Sequence, residues 1–309
     1  MSDPLNIFDR ALLRRRRDRA AVNLAAHDFL FAEVAERLTE RLDDVTRKFP
    51  RALDLGCHGG ALARVLGRRG GVETLVQCDL SPAMAQAAAS TGRATLAADE
   101  EALPFAPHSF DLIMSVLSLH WVNDLPGALI QIRQALKPDG LFLGALLGGE
   151  TLAELRAALM EAELAEEAGA SPRVSPFAEV RDAGALLQRA GFALPVADVD
   201  TIPVTYPDAL ALMRELRAMG ESNALVERRR TPTRRATLAR AAAIYGEKFG
   251  QADGRVAATF QVITLTAWAP HPCQPKALAP GSARSRLADA LGVEEFPTGD
   301  KARPKKSNN

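Results

Sequence analysis

Apolar positions in this chain follow two periods that alternate along its length. Short apolar runs of strand length recur at residues 53–55, 74–78, 94–98, 110–115 and 141–147. Between them lie stretches whose apolar residues return every three or four positions, such as 124–136, with Asn123 or Asp124 as its cap. Strand and helix in alternation predict a parallel sheet with helices on both faces. Residues 196–204 and 257–268 read as two further strands. The expected fold is therefore α/β, a doubly wound and mostly parallel seven-stranded sheet. Two helices precede the first strand. One covers 5–20, with Leu5, Phe8, Leu12 and Leu13 on one side, and the other covers about 28–45. Together they make residues 1–48 a segment expected over the ligand face. Residues 137–140, Lys-Pro-Asp-Gly, read as a turn. Helices at 151–168 and 178–190 follow the fifth strand, the second ending at Gly191, a C-terminal capping glycine. The core spans 49–206. Helical pattern at 208–219 and 234–245 fills an insertion, 207–255, between the last two strands. Set between two edge strands, it is expected to cap the ligand face as a lid. Residues 256–269 return to the core, and 270–309, rich in Pro, Ser and charge, are expected to be a disordered tail. No internal repeat is visible.

Composition narrows this picture. A chain of 309 residues, 47% hydrophobic and 25% charged, supports a full α/β core with an insertion. Lys plus Arg equals Asp plus Glu, 38 each, so net charge gives no case for nucleic acid. Cys57, Cys78 and Cys273 lack metal-binding spacing, and no metal site is expected. The N-terminus has no secretory apolar core, and no apolar run has membrane-spanning length. A cytoplasmic location follows. Arg14, Arg15, Arg16, Arg17 and Arg19 crowd the end of the first helix. They suit a solvated helix C-terminus, with contact to an acidic partner or peripheral contact to an anionic lipid surface as the alternative. The oligomeric state is not set by the sequence.

The chemistry concentrates at strand ends. Asp54, Gly56, Cys57, His58, Gly59 and Gly60 form a glycine-dense turn after the first strand. Glycine there lets backbone approach a ligand where a Cβ would collide. Asp79, followed by Leu80, closes the second strand, the place for a carboxylate that accepts from both ribose hydroxyls. The dinucleotide fingerprint G-x-G-x-x-G fails at His58 and Ala61. That weakens a pyrophosphate reading and favours S-adenosylmethionine, which has no phosphate. Asp99 and Glu100 after the third strand are placed to read an adenine edge, and 103–105, Leu-Pro-Phe, to cover its ring. Ser115 ends the fourth strand. His120, Trp121 and Asn123 follow it and are expected to face the reactive centre. His120 suits proton transfer and Trp121 suits flanking a cation, with packing beneath a lid as the plain alternative for both. Glu221 suits a fork-on-fork pair with an arginine substrate, or a simple loop cap.

These motifs carry a resemblance. The chain resembles class I S-adenosylmethionine-dependent methyltransferases. It is most similar to the mitochondrial complex I assembly-factor-five family and its alphaproteobacterial relatives. The carrying segments run from 7–10 (Ile-Phe-Asp-Arg) and 98–101 (Ala-Asp-Glu-Glu) through 117–126, with His120-Trp121-Val-Asn123-Asp124. They continue through 148–152, 175–177 and 189–192 to 219–223 (Met-Gly-Glu-Ser-Asn). The resemblance implies S-adenosylmethionine as cofactor and a complex I subunit as protein partner, with arginine hydroxylation or methylation as the reaction. His58 departs from the family turn, where glycine is expected. A small-molecule or carrier-protein methyltransferase of the biotin-pathway type and a non-catalytic assembly chaperone are the alternatives. The five histidines show no His-x-Asp or His-x-Glu pair.

Overall fold

The structure, a computed structural model, describes residues 6–167, 169–275, 282 and 285–294. It divides into two units, Met1–His271 and Pro272–Asn309. In the first, five parallel strands line up in the order β3 (Ala94–Ala97), β2 (Thr74–Asp79), β1 (Arg51–Leu55), β4 (Phe110–Val116) and β5 (Leu136–Leu147). Two more complete the sheet: β7 (Val256–Trp268) is antiparallel to β5, and β6 (Ala193–Tyr206) lies outside it, antiparallel to β7. The expected seven strands are therefore present. The insertion between β6 and β7 does not join two edge strands, however, because β7 slots between β5 and β6.

Strand alternation splits the interior into two cores. Leu112, Met114, Leu141, Leu143 and Leu147 enter one, with α2 (Phe29–Glu40), α6 (Ala153–Glu167), α8 (Ala209–Ala218) and α9 (Arg235–Phe249). Ile113, Phe142 and Leu146 enter the other, with α5 (Leu125–Ala135) and α7 (Val180–Arg189). Every residue of β4 is buried, as a central strand covered on both faces requires. The first unit also contains α1 (Arg10–Ala20), α3 (Ala61–Val65) and α4 (Pro82–Ala89).

Three sequence expectations shift. The first helix starts at Arg10 rather than residue 5, because the Asp9 carboxylate caps it by accepting from Leu12 N–H at 2.9 Å. Phe8 instead pairs with Leu225 as a bridge, and Leu5 lies outside the described residues. The helix expected to reach residue 45 stops at Glu40. The 137–140 turn lies inside β5. Asp139 N–H and Gly140 C=O bond to Ala269, and Lys137 Nζ holds both oxygens of Asp111 at 2.8 and 3.0 Å. Pairing across the sheet overrides the local turn composition there. Much of the expected disordered tail lies outside the described residues. Its described part includes a short helix, α10 (Leu287–Leu291).

Candidate active site

The turn after β1 is held by β2. Gly56 and Cys57 N–H both donate to the Cys78 carbonyl, at 2.8 and 2.9 Å. Gly56 takes φ 73°, and a Cβ on it would fall 2.2 Å from Ser118 Cβ, so only glycine fits. His58 takes φ 46°, a conformation that glycine favours. Its ring turns inward and is fully buried. Nε2 lies 3.2 Å from both the Val116 and Leu117 carbonyls, so this nitrogen carries the proton. The ring stacks on Phe31 with centroids 4.1 Å apart, and Nδ1 has no partner. Burial and the nearby Arg17 charge push the His58 pKa down, which keeps the ring neutral. Leu117, at the end of β4, is also left-handed, at φ 49°. Two such non-glycine residues side by side mark a strained, over-determined site.

The acids at the strand ends meet helix α1. Asp79 accepts from His58 N–H at 3.0 Å, from Ser81 N–H at 2.8 Å, and from Arg17 Nη1 at 3.5 Å. Arg17 is fully buried, and also reaches Glu100 at 3.5 Å and Ser118 Oγ at 3.2 Å. Burial works against its charge, but Asp79, Glu100 and Glu221 hold the proton on. Arg10 donates to Asp99 at 2.5 Å, to Glu100, and to the Trp121 carbonyl at 3.3 Å. Glu100 accepts from Ser118 Oγ at 2.6 Å as well. Burial raises its pKa, yet the two arginines and Ser118 bring it below the usual carboxylate range. Glu100 is thus held by the chain's own arginines, not left open to read an adenine edge. Asp99 is partly exposed.

Glu221 is placed by the end of α8. Gly220 N–H donates to Arg217 C=O and Glu221 N–H to Leu216 C=O, with Gly220 at φ 84°. That paired pattern is a Schellman cap. It turns Glu221 toward the 3₁₀ turn Leu119–Trp121. There His120 Nε2 lies 3.1 Å and Trp121 Nε1 2.7 Å from the same carboxylate oxygen, Oε2. The other oxygen, Oε1, is buried without a partner. Burial raises the Glu221 pKa, but the His120 hydrogen bond and the Arg17 charge more than offset this and lower it. Glu221 and Trp121 line a cavity of about 220 Å³, walled mainly by Leu30, Phe31, Leu152, Leu155, Met213 and Phe260. Ser175, whose buried Oγ also lacks a partner, lines the same cavity.

The structure therefore brings His120, Trp121 and Glu221 together, and gathers Asp79, Asp99 and Glu100 around α1. Other expected site residues have different work. Both ends of the Asn123 amide bond the Phe8 backbone, at 2.8 and 3.2 Å, so it clamps the N-terminal segment and does not face a reacting group. Ser115 Oγ donates to Leu55 C=O at 2.7 Å and ties β4 to β1. Leu80 packs against Phe8, Leu13 and Trp121. Asp54 is buried. Burial and then the Asp79 charge push its pKa up to about 8, and neither of its oxygens has a hydrogen-bond partner among the described residues. Cys57 is buried, with a thiol pushed up by burial. Gly60 caps α3 at φ 81°. Sequence reasoning missed Arg10, Arg17, Ser118 and Ser175 as site residues. One signal was present: Arg10, Leu13, Arg17 and Ala20 share one helical face. Of the arginine cluster, Arg14, Arg15 and Arg19 are exposed, whereas Arg17 is buried and Arg16 bonds the Asn223 carbonyl.

Residues 53–144 match the methyltransferase domain family. Over 289 residues the chain is 45% identical to the mitochondrial arginine-hydroxylase NDUFAF5 of Danio rerio, covering 92% of this chain and 89% of that protein. The chain belongs to the NDUFAF5 family. The human NDUFAF5 is 44% identical over 283 residues, 90% of this chain and 81% of its own length. A malonyl-[acyl-carrier protein] O-methyltransferase of Xylella fastidiosa is 38% identical over 270 residues, 85% of this chain and 89% of its own. Among solved structures, the YcgJ protein of Bacillus subtilis superposes with a TM-score of 0.53 at 15% identity, over 76% of this chain and 98% of that one. A Haemonchus contortus phosphoethanolamine N-methyltransferase in complex with S-adenosyl-L-methionine gives 0.52 at 16% identity, over 84% and 60%. At that identity the superpositions establish the fold: this NDUFAF5-family chain is a class I methyltransferase-fold protein. No helix among the described residues is long and apolar enough to cross a membrane.

Proposed function

We propose that this chain modifies an arginine side chain of a protein substrate, a subunit of respiratory complex I, at a site that also takes S-adenosylmethionine. The observation that carries the reading is the Glu221 carboxylate. His120 and Trp121 hold one of its oxygens, and the other stands unpartnered in an apolar cavity. A guanidinium matches that oxygen in charge and donors, and an arginine's aliphatic stem suits the leucine-rich wall. His120 and Trp121 orient Glu221, while the apolar wall excludes water and strengthens the ion pair. Residues 207–255, which carry Glu221, act in this reading as a lid over the site.

The cofactor fits the residues present. Asp79 already accepts two backbone N–H groups, but a carboxylate has about four acceptor sites, which leaves room for two ribose hydroxyls. Arg17 sits at 3.5 Å, a long contact that a hydroxyl can replace. Asp79 would hold the ribose, Asp99 the adenine edge, and the 56–60 turn the methionine end. When bound, the cofactor supplies a methyl group on a sulfonium. The name of the NDUFAF5 relatives favours hydroxylation over methylation, and hydroxylation requires dioxygen and a two-electron reductant as co-reactants, the second oxygen atom leaving as water.

A second reading, methyl transfer to a carrier-bound acyl carboxyl, is supported by the apolar cavity and by the Xylella relative. Glu221 favours the first, because its charge would repel an acyl carboxylate. Peptide mass spectrometry of the respiratory complex tests the choice, in cells with the wild-type chain, with none, and with Glu221→Gln. The expected result is one arginine peptide carrying an added oxygen or methyl group with wild type alone. Identical arginine peptides in all three would sink the reading.

A further inference from the structure

A second, larger recess adjoins the Glu221 cavity. It measures about 770 Å³ and shares Arg173, Val174 and Phe177 with the cavity as a common wall. Its other sides come from Ile7, Met160 and Leu225. Ile7 and Met160 are about half exposed, so this wall is apolar and open.

The common wall is an irregular segment that its neighbours pin at both ends, the far one by a parallel bridge between Ala178 and Gly148. Glu163 accepts from Ser171 N–H at 2.7 Å and from Arg173 Nε at 2.7 Å. Asn223 Nδ2 donates to the Pro172 carbonyl at 2.7 Å. Between these ends the main chain is unpaired among the described residues. Among the described residues, no hydrogen bond is made by the N–H of Arg173, Val174, Ser175 or Phe177, nor by the carbonyls of residues 173–176. Unpaired main chain beside an open groove is what an added strand needs. Such a strand gains affinity from main-chain bonds and specificity from the side chains it sends into pockets. Two exposed acids, Glu179 and Glu227, stand at the rim without an ion pair among the described residues. Against them stands one guanidinium without an acid partner, Arg156, which bonds the Gly149 and Thr151 carbonyls.

We infer that this recess docks an extended segment of the protein substrate along residues 173–177. The segment forms main-chain hydrogen bonds there and sends one arginine past Val174 and Phe177 to Glu221. This rests on the arginine reading above and adds the binding mode to it: the site reads an extended backbone with basic flanks, not a folded surface or free arginine.

The test is fluorescence anisotropy on the full chain. The probe is a fluorescein-labelled nonapeptide with a central arginine, valine and threonine alternating beside it, and a lysine at each end. Companion peptides carry N-methylated amides on both sides of the arginine, or norleucine in its place, and free arginine serves as a competitor. Two lost main-chain bonds should weaken the N-methylated peptide by at least roughly tenfold. The double variant Glu179→Lys/Glu227→Lys, exposed and outside the cavity, should weaken the parent peptide while its melting curve stays unchanged. If N-methylation and the double variant have no effect but Glu221→Gln abolishes binding, the groove is wrong and the arginine reading stands. The groove also falls if free arginine displaces the peptide at equal concentration. If the norleucine peptide binds as well as the parent and both are weakened by N-methylation, the groove stands and the arginine reading falls. Binding of none of the peptides overturns both.

Discussion

His58 keeps the shape of a glycine turn without the glycine. Its ring donates to two strand-end carbonyls and stacks on Phe31, and these contacts offset the strain of φ 46°. Glu221 has the opposite character: half of its carboxylate is held and half is left open. Asp54 differs again, as a buried acid whose pKa stands at about 8 against an ordinary 3.8. That shift has a measurable sign. A carboxyl whose folded pKa is raised stabilises the fold fully below its unfolded pKa, and the contribution is lost as pH rises through the folded value. Stability should therefore fall between about pH 4 and pH 8. Asp54→Asn, which cannot ionise, should flatten that slope, so that its stability relative to wild type rises by roughly 5 kcal/mol from about pH 4 to pH 8. Urea unfolding of both proteins at pH 5 and pH 8 checks it. Equal slopes would show that Asp54 does not titrate in this window.

At the scale of elements, α1 behaves as a cationic arm laid across the strand ends. Its buried face carries Leu13, Arg17 and Ala20, and Gly220 at the end of α8 lets that face come close. A Cβ there would lie 3.3 Å from Ala20 Cβ and 3.4 Å from Arg17 Cα. In the proposed reading the arm and the cofactor draw on the same acid, because Arg17 contacts Asp79 and the ribose would bond it too. Arg17→Gln should thus have two effects. Removing the cation leaves Asp79 and Glu100 buried without it, which should cost roughly 3–5 kcal/mol of stability. Among molecules that remain folded, S-adenosylmethionine should bind about tenfold tighter, because no guanidinium has to be displaced. Calorimetric titration beside a melting curve separates the two effects. Weaker binding in the variant would instead make Arg17 a ligand of the cofactor.

At the scale of the molecule, one sheet covered on both faces supports the site, and the site residues arise from α1, the ends of β1, β2, β3 and β4, and the end of α8. All of them lie within Met1–His271. A chain truncated after His271 should therefore melt within a few degrees of the full chain and bind the cofactor equally well. A fall in melting temperature beyond ten degrees or so would mean that the fold depends on the remaining residues. Much of this architecture was legible in the amino-acid order. The alternating periods gave seven strands, and the glycine turn with Asp79 marked the strand ends where the candidate site lies, because these signals are local. Each needs only a strand, a turn and the start of a helix. The site's pairings were not local. Arg17 meets acids 62 and 83 residues away, and Glu221 meets Trp121 across 100 residues. Periodicity tells which face of an element is buried but not what it is buried against. An arginine in a basic run therefore reads as solvated until a distant carboxylate is seen beside it, since burying a charge is favourable only with a partner. The sequence alone determined the fold class, the glycine turn and the order of the strand-end acids. Only the tertiary structure decided that α1 turns its cations onto those acids, and that Glu221 keeps one oxygen open in an apolar cavity.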